Sequence, residues 1–137
     1  MADPTQKVRA GTYERDGYAC VSCGRMDGLN YQHRAAVGLG GSQHRPTWPE
    51  GLTSCWKCNP EYERTLQALA IALGWKISKY ETQPERIPYF AVTTTRWYLL
   101  ARDGPWRRAI SPQHAAEMMR AVYGQSWQPP TDIYVPR

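Results

Sequence analysis

The chain has 137 residues, a formal net charge of +5 and a hydrophobic share of 42%, which bounds it to one compact domain with a modest core and a tail. Its longest apolar stretch, residues 66–73, contains Gln67 and is too short to span a membrane. Residues 1–7 lack the apolar core of a secretory signal, so a soluble cytoplasmic protein with no membrane partner is expected.

In chain order, residues 5–14 read as a short helix with Val8 and Tyr13 facing inward and Gly17 just past its end. Residues 20–24 form a tight cysteine knuckle, and residues 29–33 alternate loosely as a strand. A Gly-rich loop follows at residues 37–42, and a second knuckle runs from Cys55 to Cys58. Pro60 suits the first turn of a helix that continues to about Leu73, with Tyr62, Leu66, Leu69 and Leu73 on one apolar stripe and Gly74 as its cap. Residues 96–101 and 106–110 flank Asp103-Gly104 as a β-hairpin. Ser111-Pro112 opens a helix ending near Gly124. Residues 125–137, with three prolines, form an extended tail whose aromatic residues either dock on the core or stay free.

The four cysteines make two Cys-x-x-Cys pairs, Cys20 with Cys23 and Cys55 with Cys58. A reducing cytosol disfavours disulfides, and two paired thiols per knuckle match the ligand set of tetrahedral zinc. Four thiolates would fill the coordination shell, which makes such an ion structural and brings the net charge to about +3. An iron–sulfur cluster and four unrelated buried thiols are the alternatives these residues leave open.

A plain zinc ribbon has no need of the segment between the pairs. There the entry Asp16-Gly17-Tyr18-Ala19-Cys20 leads to Gln32-His33-Arg34, then Gly38-Leu39-Gly40-Gly41, then the exit from Cys55 to Asn59. This combination resembles HNH endonucleases of the zinc-stapled kind, especially the small versions common in phages of actinobacteria. The resemblance covers about residues 7–110. It implies an α+β protein with a zinc-stapled ββα-metal, treble-clef-like core, an N-terminal helix, and a C-terminal β-hairpin plus helix. Residues 1–110 would form the HNH-like unit with its hairpin, and residues 111–137 a C-terminal helix and Pro-rich tail.

The resemblance further implies DNA as partner and phosphodiester hydrolysis as the activity. His33 matches the general base; Gln32 and Asn59 match ligands of a catalytic divalent cation such as Mg²⁺, Mn²⁺ or Ni²⁺. Gly51 falls where the family places its middle Asn, which braces the hairpin. A neutral imidazole can take a water proton near neutral pH, and a cation neutralises charge developing on phosphate. Gln32 and Asn59 are neutral amides, however, and hard cations prefer carboxylates. His44 stands across the Gly-rich loop as a candidate substitute ligand. Arg34, Arg45 and Lys57 are candidate phosphate contacts. Two further readings follow from the same residues: a degenerate HNH domain that binds DNA or a protein without cutting, and a structural zinc module whose C-terminal extension carries a protein interface.

Overall fold

The structure, a computed structural model, describes residues 3–35 and 44–137. The Gly-rich loop expected at residues 37–42 lies outside the described residues.

Helix α1 spans Gln6–Arg15, with the Thr5 hydroxyl accepting from the Val8 N–H as its N-cap. Gly17 follows its C-cap at a φ of +73°. The inward face is polar rather than apolar: Thr12 and Arg15 are buried, whereas Val8 and Tyr13 are only half-buried. The hydrophobic pattern of this helix is weak because it packs through a buried charge pair. Arg15 donates to both Asp16 oxygens at 3.0 and 3.2 Å and to the carbonyls of Trp48 and Gly51. Asp16 also accepts from the Thr53 N–H and the Tyr89 hydroxyl. Such a pair is tolerated in a core because its donors and acceptors are met.

Strands β1 (Leu29–His33) and β2 (Gly51–Cys55) form an antiparallel pair in the register Leu29 to Cys55 and His33 to Gly51. Its cysteine end carries both knuckles, and its other end carries His33. The expected single helix after Pro60 is instead two short ones, α2 (Cys58–Glu61) and α3 (Gln67–Ala72). The Leu66 N–H turns back to the Glu61 carbonyl, and the Thr65 hydroxyl donates to the Glu61 carboxylate, breaking the ladder between them. Of the expected stripe, Tyr62 and Leu73 are buried, while Leu66 and Leu69 are half-buried. Gly74 does cap α3: it sits at φ +74°, and a Cβ there would lie 1.9 Å from the Pro88 carbonyl oxygen.

A second sheet holds β3 (Tyr89–Ala91), β4 (Arg96–Leu100) and β5 (Arg107–Ile110) in the order β3-β4-β5, all antiparallel. The β4–β5 hairpin is the one expected; β3 has no sequence signature, because three residues are too few to display a period. Helix α4 (Pro112–Tyr123) begins at Ser111, whose hydroxyl accepts from His114 N. The tail docks: Trp127 packs against Trp97, and Val135 is buried. One cluster of buried side chains runs from the knuckle cysteines through Trp75 and Trp97 to Met119, Trp127 and Val135. The protein is thus α+β with two small sheets. Among the described residues, no helix is long and apolar enough to cross a membrane.

Candidate functional site

The β1–β2 pairing brings the two cysteine pairs together. Cys55 ends β2 opposite Leu29, and Cys58 opens α2. The first knuckle is tied to β2 by the Val21 N–H donating to the Thr53 carbonyl. All four sulfurs are buried and lie within 4.8 Å of one another. The Cys23 and Cys55 sulfurs are 3.8 Å apart, close to the ~3.8 Å edge of a tetrahedron of sulfurs each about 2.3 Å from an ion. Backbone N–H groups of Arg25 and Cys58 face the Cys23 and Cys55 sulfurs at 3.5 and 3.4 Å, as suits thiolates. The hydrogen bond from Cys58 lowers the Cys20 thiol and the same bond raises the Cys58 thiol, while burial raises Cys23. Without an ion, burial and mutual repulsion keep most of four thiols packed so closely from ionising, and a cation at their centre would favour the thiolates. The four cysteines therefore form a site able to hold a metal ion.

At the far end of β1, Tyr31 and His33 share one strand face, their rings 5.2 Å apart at a steep angle. His33 is half-buried, and its Nδ1 is buried without a partner among the described residues. Burial, reinforced by the Lys76 and Arg9 charges, holds the imidazole below its ordinary value of 6.5. Lys76 donates to the His33 carbonyl at 2.9 Å, and Arg9 lies over the Tyr31 ring. Neither cation is evident as a site residue from the sequence. Lys76 reaches His33 because the chain after α3 returns beside β1, where Ile77 N donates to the Arg34 carbonyl. No local pattern announces that approach.

The opposite face of β1 carries Asn30 and Gln32. Asn59 donates to the Asn30 side chain at 3.2 Å. Gln32 is buried, with its Nε2 donating to the Trp75 carbonyl at 2.9 Å and its Oε1 unpaired among the described residues. Period two along the strand could have flagged Asn30 as the partner of this face. Arg34 corrects an expectation: it does not face phosphate. It is fully buried, and its guanidinium donates to the carbonyls of Gly74, Pro49, Pro84 and Ile87. Burial pushes it down to about 10, so it remains charged at neutral pH. It is an internal cation two residues from Gln32, and it repels any second cation there.

No family model, curated protein or solved structure matches the chain.

The remaining candidates are dispersed. His44 is exposed, its Nε2 3.0 Å from a Glu50 carboxylate oxygen that also accepts from Thr47. Burial works against the Glu50 charge, but the hydrogen bonds from Thr47 and His44 prevail and hold it below the usual range. His44 and Glu50 border a groove of about 370 Å³ with Glu81 and Glu85, whereas Gln32 is turned onto Trp75. The structure does not join His44 to Gln32. Arg45 is exposed and donates to the Asp3 carbonyl. Lys57 sits in the second knuckle and donates to the Arg137 carbonyl. Among the described residues, the four cysteines are the one group of three or more His, Cys, Asp or Glu side chains placed to hold an ion.

Proposed function

We propose that the chain is a zinc-held domain of the HNH type that grips the DNA backbone at the His33 end of the β1–β2 hairpin, without the catalytic ion of the family's nucleases. The position of Gln32 carries this reading. The residue expected to ligate the ion is buried, its amide nitrogen donates to the Trp75 carbonyl so that only the neutral Oε1 could face an ion, and Arg34, two residues on, is a buried cation. Asn59 offers a second neutral amide, already paired with Asn30. These residues do not fit a hard divalent cation.

The order of hairpin and following helix supports the ββα reading, with α2 starting at the last cysteine. The spacing of the sulfurs supports zinc, held by Cys20, Cys23, Cys55 and Cys58, which would tie β2 to both knuckles and do no chemistry of its own. Arg9 beside His33, with the net charge of +5, favours a phosphate backbone as ligand, whereas Lys76 is paired with Glu63 at 3.4 Å and holds the His33 carbonyl.

The second reading is hydrolysis with His33 as general base. The unpaired Nδ1 and the lowered proton affinity of the imidazole favour it, because a neutral imidazole can accept a proton from water.

Supercoiled plasmid nicking and duplex binding by the zinc-loaded chain separate these readings. Each is run with Mg²⁺, Mn²⁺, Ni²⁺ or EDTA, beside His33→Ala. Salt-dependent binding weakened in the variant, with the plasmid intact, supports the binding domain. Ion-dependent nicking abolished in the variant replaces it with the nuclease. No binding and no nicking by folded protein defeats both.

A further inference from the structure

Trp56 lies within the second cysteine knuckle, at the other end of the hairpin from His33, and 60% of it is exposed. A scattered surface tryptophan needs no explanation, but three features hold this one in place. Its backbone N–H donates to the Gly28 carbonyl at 3.0 Å, which fixes the main chain that carries the ring. Gly28 adopts a φ of +61°, and a Cβ there would lie 2.3 Å from the indole Cδ1, so only glycine leaves room for the ring. The Arg25 guanidinium lies 5.7 Å from the ring centroid, within cation–π range.

The surroundings are cationic. Arg25 comes from the end of the first knuckle and is paired with Asp27 at 3.2 Å. Lys57 follows Trp56 directly, and the Arg137 side chain reaches the Cys23 carbonyl at 3.1 Å. An ordered, exposed aromatic ring with the Arg25 guanidinium beside it suits an unpaired nucleobase, which stacks on the ring while its phosphate meets that charge. The grooves of a duplex offer base edges and no such base face.

We infer that the knuckle surface of Trp56, Arg25 and Lys57 is a stacking site for single-stranded nucleic acid. It is separate from the backbone contact proposed at His33: Gly28 and His33 are five steps apart along extended chain, roughly 16 Å.

The test is fluorescence anisotropy of a labelled twelve-nucleotide oligothymidylate with the full zinc-loaded chain. Trp56→Ala should bind on the order of tenfold more weakly, Trp56→Phe should retain most of the affinity, and Tyr80→Ala, which removes an exposed aromatic ring elsewhere on the surface, should bind as wild type. An abasic strand of the same length should bind wild type as weakly as the oligothymidylate binds Trp56→Ala. Zinc content and the thermal melt confirm that each variant is folded. As a measurement that needs no loss of side-chain bulk, oligothymidylate should quench tryptophan emission in wild type by more than in Trp56→Phe. Equal binding by wild type and Trp56→Ala, equal binding of the abasic strand, or no binding at all overturns the site.

Discussion

The phenol of Tyr31 occupies the space that a side chain at Gly51 would need. A Cβ on Gly51 would lie 2.0 Å from the Tyr31 Cζ and hydroxyl oxygen. The bracing Asn that the HNH resemblance places at this position is therefore not simply missing; its room has been taken by a residue of the partner strand. Restoring it should fail. Gly51→Asn is expected to destabilise the chain by about 1–3 kcal/mol through overpacking. Tyr31→Ala in the same chain should recover part of that loss, so the two changes should be strongly non-additive. Urea unfolding of the wild type, both single variants and the double variant measures the coupling. Additive effects would mean that the two positions do not compete for this volume.

Arg34 separates structure from binding. Its guanidinium serves four carbonyls from three chain segments, a pattern that a lysine ammonium with three donors cannot match. Arg34→Met should cost about 3–5 kcal/mol, because carbonyls buried around a charge lose their donors. Arg34→Lys should also lower the melting temperature. Arg9→Ala should do the reverse: the melt should change little, while duplex affinity falls and the salt slope drops by about one for the phosphate no longer neutralised. A lysine variant with an unchanged melt would contradict the structural role of Arg34.

How far the sequence disclosed this arrangement depends on the range of each interaction. The cysteine pairs, the α4 cap at Ser111 and the β4–β5 hairpin are local patterns, and they are legible from spacing alone. The break between α2 and α3 is not, because the Tyr62-to-Leu73 stripe keeps helical spacing across a turn closed by Glu61. The destiny of Arg34 is hidden for a different reason. Next to a histidine, an arginine reads as a phosphate contact until the carbonyls of residues 49, 74, 84 and 87 converge on it. Gln32 and His33 are sequence neighbours, yet strand alternation sends them to opposite faces. One joins the core at Trp75 and the other meets the Lys76 and Arg9 charges.

Metal removal should unfold the protein. The four cysteines sit inside the single buried cluster, with no disulfide to hold the knuckles. A structural zinc contributes about 10–16 kcal/mol in small zinc peptides, against a typical net stability of about 5–15 kcal/mol. Elemental analysis should find one zinc per chain. Prolonged chelation, or Cys55→Ser, should abolish the cooperative melt followed by circular dichroism. A chain stripped of zinc that still melts within a few degrees of the loaded protein would remove the structural role from this site.

His33 should titrate below 6.5, because burial opposes its charge and the Lys76 and Arg9 cations add to the effect. The folded state then binds fewer protons than the unfolded state in the window just below 6.5. Stability linked to this group is complete above the unfolded value and is lost as pH falls through the folded one. Binding a phosphate beside the ring favours the protonated form, so DNA should raise the imidazole value and duplex affinity should grow as pH falls from 7.5 toward 5.5. An NMR titration of the His33 ring protons, in the free chain and bound to a short duplex, measures both shifts. Lys76→Met should move the free value back toward 6.5. A free value at or above 6.5, or one that DNA leaves unchanged, would separate His33 from the phosphate contact and leave the imidazole a purely structural neighbour of Tyr31.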